Sequence, residues 1–350
     1  LATPTLIIGA NLPDIDGAAM LMGSDTALWF RRGWTHGILA AVILPALLAA
    51  GMLAYDRWWR RRGKEDVAAA RAGPIIVLSY MSFLTHPFLD WLNTYGVRLL
   101  MPFDDTWFYG DSIFIIDPWM WLLAGSAVVL ARSNAKLSIT GWIVLGSAMS
   151  ALVLGYGEVG LGVKVAWLVG VTTIIAMRLS GWFRRRSSAV AQTSLAILLG
   201  YIAAMISGSV LARGLAAQRA GAQSPEQAFV SPVPGNPMKR EGIVRVEDTY
   251  VPYKLDWLAE APYRKSGQAV PITREHGPII DAAINAPQVR GLMNWVRYPV
   301  YEVREKGSGY IVVIRDMRYV RPDDEEGFGM AKVRLDRHLD PVDATVNREE

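Results

Sequence analysis

The sequence contains no cysteine, which excludes disulfides and thiolate metal sites but leaves the compartment open. Charge is scarce as well. Asp, Glu, Lys and Arg make up 19% of the 350 residues, below the roughly 25% of an ordinary soluble domain, while hydrophobic residues reach 52%. There is no phosphate-binding glycine loop, no calcium-binding loop and no Ser-His-Asp arrangement. No repeat relates the two halves of the apolar region. No basic stretch precedes Leu6 in the manner of a signal peptide, and residue 1 is Leu, so the natural start is expected upstream.

What is present comes in blocks. Uncharged or nearly uncharged runs cover Gly37–Tyr55, Gly73–Leu92, Ile113–Ala131, Ser138–Tyr156, Val165–Met177 and Val190–Ala212. Most approach the roughly 20 residues that span a hydrocarbon core of about 30 Å. The expected fold is therefore a membrane all-α bundle of about six transmembrane helices. Leu6–Leu12 is too short to span and reads as an N-terminal half-helix, re-entrant or interfacial. Basic residues are concentrated in alternate loops. One holds Arg57, Arg60, Arg61, Arg62, Lys64 and Arg71, another Arg132 and Lys136, a third Arg184, Arg185 and Arg186. The other loops carry Arg98 with Asp104, Asp105 and Asp111, or Glu158 with Lys164. By the positive-inside rule the basic loops face the cytoplasm. The net charge of +4 is thus a topology signal and gives no reason to expect nucleic acid as a partner.

Residues 1–212 read as a polytopic membrane domain and 213–240 as a polar linker, with "SPVPGNP" (Ser231–Pro237) as loop. From 241 to 350 the pattern alternates, as in "GIVRVEDTYV" and "GYIVVIRDMRYV", which predicts strands. A hairpin is expected to turn at Lys306–Gly309, and "GPIIDAAINAPQVRGLMNWV" predicts one or two short helices broken at Pro287. This segment is expected to be a small extracytoplasmic α+β or mostly β domain, with an envelope protein as a candidate partner. Its His276 and His338 lie in polar surroundings and read as solvated.

The polar residues of the membrane part cluster. "NLPDID" supplies Asp14 and Asp16, "RRGWTHG" supplies Thr35 and His36, and "THPFLDWLN" supplies His86, Asp90 and Asn93. The i, i+4 spacing puts His86 and Asp90 on one helix face, although Pro87 disfavours helical geometry at His86. Taken singly, each group has a structural reading: His36 as a cap, Asp14 and Asp16 as a turn, His86 with Asp90 as a hydrogen-bonded pair. Charge bias, however, places all of them at the outer face. Two imidazoles and three carboxylates at one depth suit a divalent metal such as Zn, Mn or Fe, which would offset the cost of burying the charges. The aromatics between Asn93 and Trp119 read mainly as an interfacial belt. Arg31, Arg32 and Arg98 stand on the outer side against the charge rule, as phosphate-holding candidates would.

"NLPDID", "RRGWTHG", "THPFLDWLNTYGVRLLMPF" and "FIIDPW" resemble the YdjM-like family (YbcI/YdjM) of bacterial inner-membrane proteins, described as predicted metal-dependent hydrolases. The resemblance covers about the first 130 residues. It implies that Asp14, Asp16, His36, His86 and Asp90 form the metal site. The His-x-x-x-Asp pattern is also slightly similar to that of zinc-dependent phospholipases C. Family members usually begin with a Thr-His pair ahead of the Asp motif, so a third His is expected before residue 1.

The resulting expectation is a multi-pass, integral inner-membrane metal-dependent hydrolase with its site at the outer face. It would act on a lipid or lipid-linked phosphoester, with His86, Asp90 and Asn93 in catalysis and Arg98 as substrate contact. The alternatives are a transporter, or a structural or sensory protein with a metal-stabilised helix cluster.

Overall fold

The computed structural model describes all residues except 64–65, 133–134, 158, 182–185, 308 and 348–350. Lys64, Glu158, Arg184 and Arg185, and Ser308 of the expected hairpin turn, therefore lie outside the described residues. The apolar blocks are helices: α1 (Ala2–Asn11), α2 (Ser24–Phe30), α3 (Ile38–Tyr55), α4 (Ala72–Trp91), α5 (Pro118–Arg132), α6 (Lys136–Gly155), α7 (Leu161–Ser180) and α8 (Ser187–Ala220). A 3₁₀ helix, Pro13–Met22, joins α1 to α2.

Among the described residues, five helices are long and apolar enough to cross a membrane: α3 with a π-helical turn to Arg60, then α4, α6, α7 and α8. Many of their apolar side chains stay exposed, among them Val42, Leu47, Val77, Val144, Val169 and Leu195, as lipid-facing residues do. The sixth expected span is shorter, because α5 has 15 residues and begins at Pro118 rather than in the run from Ile113. Asp117 accounts for this. Its Oδ1 accepts from the backbone N–H groups of Trp119 (2.9 Å) and Met120 (3.1 Å), and proline takes the first helical position. Its Oδ2 accepts from the Tyr201 hydroxyl at 2.7 Å, tying α5 to α8.

The chain divides into two compact units, Leu1–Gly110 with Val270–Glu350, and Asp111–Ala269. Each couples apolar helices to a sheet, so the strands are shared between two structures where the alternation predicted one small domain after residue 241. In the second unit the sheet comprises β1 (Ala228–Val233), β2 (Asn236–Val246), β3 (Thr249–Asp256) and β4 (Tyr263–Lys265) in that order, and the two-residue β5 (Val270–Pro271) opens the next segment of chain. Residues 213–240, expected as a linker, thus hold the end of α8, all of β1 and the start of β2. The 34 residues of α8 amount to about 50 Å, well beyond a hydrocarbon core of about 30 Å. Its last turns bury Ala212, Ala216 and Ala217 against Val230, Val244, Tyr253 and Leu255, so Ala212, which read as the end of a span, and Ala216 and Ala217, which read as linker, are sheet core.

In the first unit α1 lies against α4 at Gly9, where an added Cβ would collide with Ser82 Oγ; only a glycine permits this approach. The second sheet is an antiparallel meander of β6 (Pro299–Lys306), β7 (Gly309–Asp316), β8 (Met330–Asp336) and β9 (Pro341–Val346). Lys306 pairs with Gly309, as the expected hairpin requires. Helices α9 (Pro278–Ile284) and α10 (Arg290–Trp295), separated at Pro287, cover one face. Val312, Ile314, Val333 and Leu335 pack there with Leu292 and Trp295, and the same core includes Leu28 and Tyr95. Trp295 Nε1 donates to the Tyr95 carbonyl (3.0 Å) and Arg318 Nη1 to that of Thr94 (2.9 Å). The second sheet is therefore seated on the loop that follows α4.

Candidate metal centre

Four short pieces of chain meet at the C-terminal end of α4. The 3₁₀ helix that begins at Pro13 carries Asp14 and Asp16 in its first turn. The loop from Arg31 to Gly37 brings Arg32, Thr35 and His36. Helix α4 continues through Pro87, so the i, i+4 relation holds: His86 Nε2 lies 3.5 Å from Asp90 Oδ2. The loop after α4 adds Asn93.

Hydrogen bonding fixes which ring nitrogens are free. His86 Nδ1 lies 2.6 Å from the Ala10 carbonyl at the end of α1. A carbonyl only accepts, so Nδ1 carries a hydrogen, and Nε2 is the nitrogen whose lone pair a metal would take. His36 Nδ1 lies 3.2 Å from Asp16 Oδ2 and 3.0 Å from Thr35 Oγ1, whose hydroxyl itself donates to Asp16 at 2.9 Å. Both neighbours are acceptors toward the ring, so His36 likewise keeps its hydrogen on Nδ1 and leaves Nε2 open. A histidine held by its far nitrogen to a carboxylate or carbonyl is the usual setting of a metal ligand.

The two open nitrogens converge. Asp90 Oδ2 lies 3.1 Å from His36 Nε2, and Asp14 Oδ2 lies 3.6 Å from His86 Nε2. Asp14, His36 and His86 each bring a ligand atom within 4.8 Å of the others. Ligands about 2.0–2.1 Å from a tetrahedral zinc stand roughly 3.3 Å apart, so the spacing suits such an ion. The cluster also has open valences: His36 Nε2, Asp90 Oδ2 and Asp16 Oδ1 are buried without a hydrogen-bond partner. Mixed N/O donors with unsatisfied lone pairs fit a divalent cation.

All five residues named from the sequence as metal ligands are brought together, in different positions. Asp16 sits one step back. Its Oδ2 accepts from the Arg32 backbone N–H (2.8 Å) as well as from Thr35, and holds His36 in orientation. Asn93 also acts at one remove, its Oδ1 accepting from Arg32 Nη1 and the Tyr95 N–H, both at 2.8 Å. Arg98 is fully buried. Its Nη2 donates to the carbonyls of Trp29 and, at 3.3 Å, Arg31, and its guanidinium lies over the Trp107 ring.

Two participants were not legible in the sequence. The Ala10 carbonyl has no side-chain signature. Arg32 Nη2 pairs with Asp90 Oδ1 at 2.9 Å while its guanidinium lies 4.5 Å from the Tyr95 ring centre. Its backbone is left-handed (φ 54°), a conformation that costs a non-glycine residue about 1 kcal/mol or more and that the Asp16 hydrogen bond holds in place. The sequence signal was only that Arg32 stood against the charge rule.

Electrostatics follow the pairing. Burial disfavours the His36 imidazolium, but the Asp16 and Asp90 carboxylates outweigh it and hold its pKa above the ordinary histidine value. In the metal-free protein a protonated His86 ring, donating toward Asp14, keeps that carboxyl below the usual range, against a smaller opposing effect of burial.

Comparison with known proteins agrees with the motif reading. The family described as YdjM inner membrane protein matches residues 1–159. A Bacillus subtilis (strain 168) protein described as "Uncharacterized protein YfhP" is 25% identical over 138 residues, which is 38% of this chain and 38% of its own length. The chain therefore aligns with well under half of that relative. No solved structure matches.

Proposed function

We propose, from a chain whose first 159 residues match an inner-membrane protein family, that Asp14, His36, His86 and Asp90 hold a divalent metal ion, Zn, Mn or Fe. On this reading the protein is an integral inner-membrane hydrolase acting on a lipid or lipid-linked phosphoester at headgroup depth. The observation that carries it is the pair of histidines whose Nε2 atoms face the same carboxylate while their Nδ1 atoms are held elsewhere. When bound, such an ion supplies Lewis acidity and lowers the pKa of a coordinated water.

The chain's own groups divide the remaining work. Asp16 and the Ala10 carbonyl orient the two imidazoles, and Arg32 with Asn93 steadies Asp90. The Asp14 side chain, 45% exposed, marks the open side of the site, whereas those of His36 and Asp90 are largely closed off. Basic Arg57, Arg60, Arg61, Arg62 and Arg71 follow the far end of α3 from the cluster, so the charge rule supports an outward-facing site.

The test is elemental analysis of purified protein and of His86→Ala and Asp90→Ala, with hydrolysis of phospholipids and lipid phosphates assayed before and after chelation. Near-stoichiometric metal lost in both variants, together with chelator-sensitive turnover, is the expected result. Turnover that survives chelation and His86→Ala excludes the reading. A second reading, a metal clamp in a structural or sensory protein, draws on the Arg32 link from Asp90 to Tyr95 and the second sheet. It predicts the same metal content with no turnover.

A further inference from the structure

Three arginines surround the centre, and two are closed off from solvent, although Arg98 Nε, like Arg31 Nε, lacks a hydrogen-bond partner. Arg32 reaches Asp90, Asn93 and the Gly96 carbonyl, and lies over Tyr95. Arg98 is engaged by two carbonyls and Trp107. Arg31 differs. Its nearest contacts are long, Nη2 at 3.5 Å from Asp14 Oδ1 and Nε at 3.9 Å from Asp16 Oδ1. Its buried Nε has no hydrogen-bond partner, and the side chain is 23% exposed, beside the half-exposed Asp14.

We propose that Arg31 is the substrate-anion contact of this centre, receiving a phosphoryl group of a molecule that enters from the lipid side. The proposal rests on the metal-site reading above. A partly exposed guanidinium held only by long contacts, to carboxylates that could serve a cation, keeps donor capacity for an incoming anion. Its planar fork matches two oxygens of a phosphoryl group.

The surroundings favour a membrane-borne source for that group. The segment carrying Asp14 exposes Ile15, Met20, Leu21 and Met22, Leu21 at 91%, and the loop between Arg32 and His36 exposes Trp34. None of these residues belongs to a spanning helix. Large apolar side chains and an exposed indole around a polar opening suit the boundary between headgroups and acyl chains. A site for a freely dissolved phosphoester has no use for such a rim.

The test uses full-length, zinc-supplied protein in phosphatidylcholine nanodiscs. Two titrations are compared for the unaltered protein, Arg31→Ala, Arg31→Gln and Arg31→Lys: inorganic phosphate by calorimetry, and phosphatidic acid in the same nanodiscs by displacement of a fluorescent analogue. Zinc content is measured in every sample. Arg31→Ala and Arg31→Gln are expected to weaken binding of phosphatidic acid by roughly 10- to 100-fold, the range for one charge-assisted contact, with zinc unchanged. Arg31→Lys should recover part of the loss. A loss confined to phosphatidic acid, or larger for it than for inorganic phosphate, supports lipid-side entry. A loss for inorganic phosphate alone overturns that entry. Affinities within about twofold of the unaltered protein, no saturable binding by the unaltered protein, or zinc lost from both neutral variants overturns the role of Arg31. If the unaltered protein takes up no zinc, the metal reading falls by itself. The same comparison on metal-free protein then decides Arg31 by the same criteria.

Discussion

The two compact units are made of like parts, apolar helices joined to an antiparallel sheet, yet they treat a buried carboxylate in opposite ways. In the second unit Asp117 is buried and satisfied: two backbone N–H groups take one oxygen and the Tyr201 hydroxyl takes the other. In the first unit Asp16, His36 and Asp90 are buried with Oδ1, Nε2 and Oδ2 respectively left over. An unsatisfied buried polar atom costs about 1–3 kcal/mol, so several at one point need a compensating ligand, whereas Asp117 needs none. The difference separates a polar group that holds a fold together from one that awaits a partner.

The sharpest way to break the contrast is to remove a proposed ligand from the first unit. His86→Ala or Asp90→Ala should abolish metal retention through dialysis, read by elemental analysis, while circular dichroism shows the helices intact. A more graded effect is expected at the orienting carboxylate. Asp16→Asn keeps an acceptor near His36 but loses its charge, and should weaken metal affinity by about 10- to 100-fold in competition with a chelating dye.

Acidity gives the next effect in size. A proton competes with a metal for His36 Nε2, and the raised pKa lets it do so above the ordinary value of 6.5. Metal affinity should climb at least about tenfold per pH unit below that raised pKa, since the other imidazole ligand must shed its proton too, measured by titration calorimetry between roughly pH 5.5 and 8.5. Metal-free protein should do the reverse. The stabilisation its imidazolium gives is full below pH 6.5 and disappears as pH rises through the raised value, so its melting temperature should fall over that range. The smallest effect on the metal, none, is expected for Asp117→Ala. It should lower stability by about 1–3 kcal/mol in denaturant unfolding, from the lost cap and the unpaired Tyr201 hydroxyl. Metal loss in Asp117→Ala, or metal retention in His86→Ala, erases the distinction between the units.

The helices were legible because a lipid-facing surface must be apolar on every side, and that leaves unbroken runs. The start of α5 was not. Ile113–Ile116 is as apolar as a span, and only the capping geometry of Asp117 shows that the helix waits until Pro118. The end of α8 was misread for a related reason: alanines pack equally well against lipid, a neighbouring helix or a sheet, so Ala212–Ala217 carried no mark of their true neighbour. Alternation disclosed the strands, but it reports which face is buried and not which helices bury it. The division of the strands between two units therefore did not show. At the centre, residue type and depth were enough to gather Asp14, Asp16, His36, His86 and Asp90. The roles within the group depend on individual atoms, such as Asp16 Oδ2 against His36 Nδ1, and no spacing rule reaches that level.

Helix α4 has 20 residues, a length of about 30 Å, close to the thickness of the hydrocarbon core itself, and His86 and Asp90, its proposed ligands, stand in the last two turns. It has no surplus length of the kind that α8 shows. In a thicker bilayer the lipids around α4 must compress or its His–Asp end must sink below the headgroups. In a thinner one the helix must tilt and lift that end. Acyl-chain length thereby becomes a control on access to the proposed site, acting without any contact between a lipid tail and its residues.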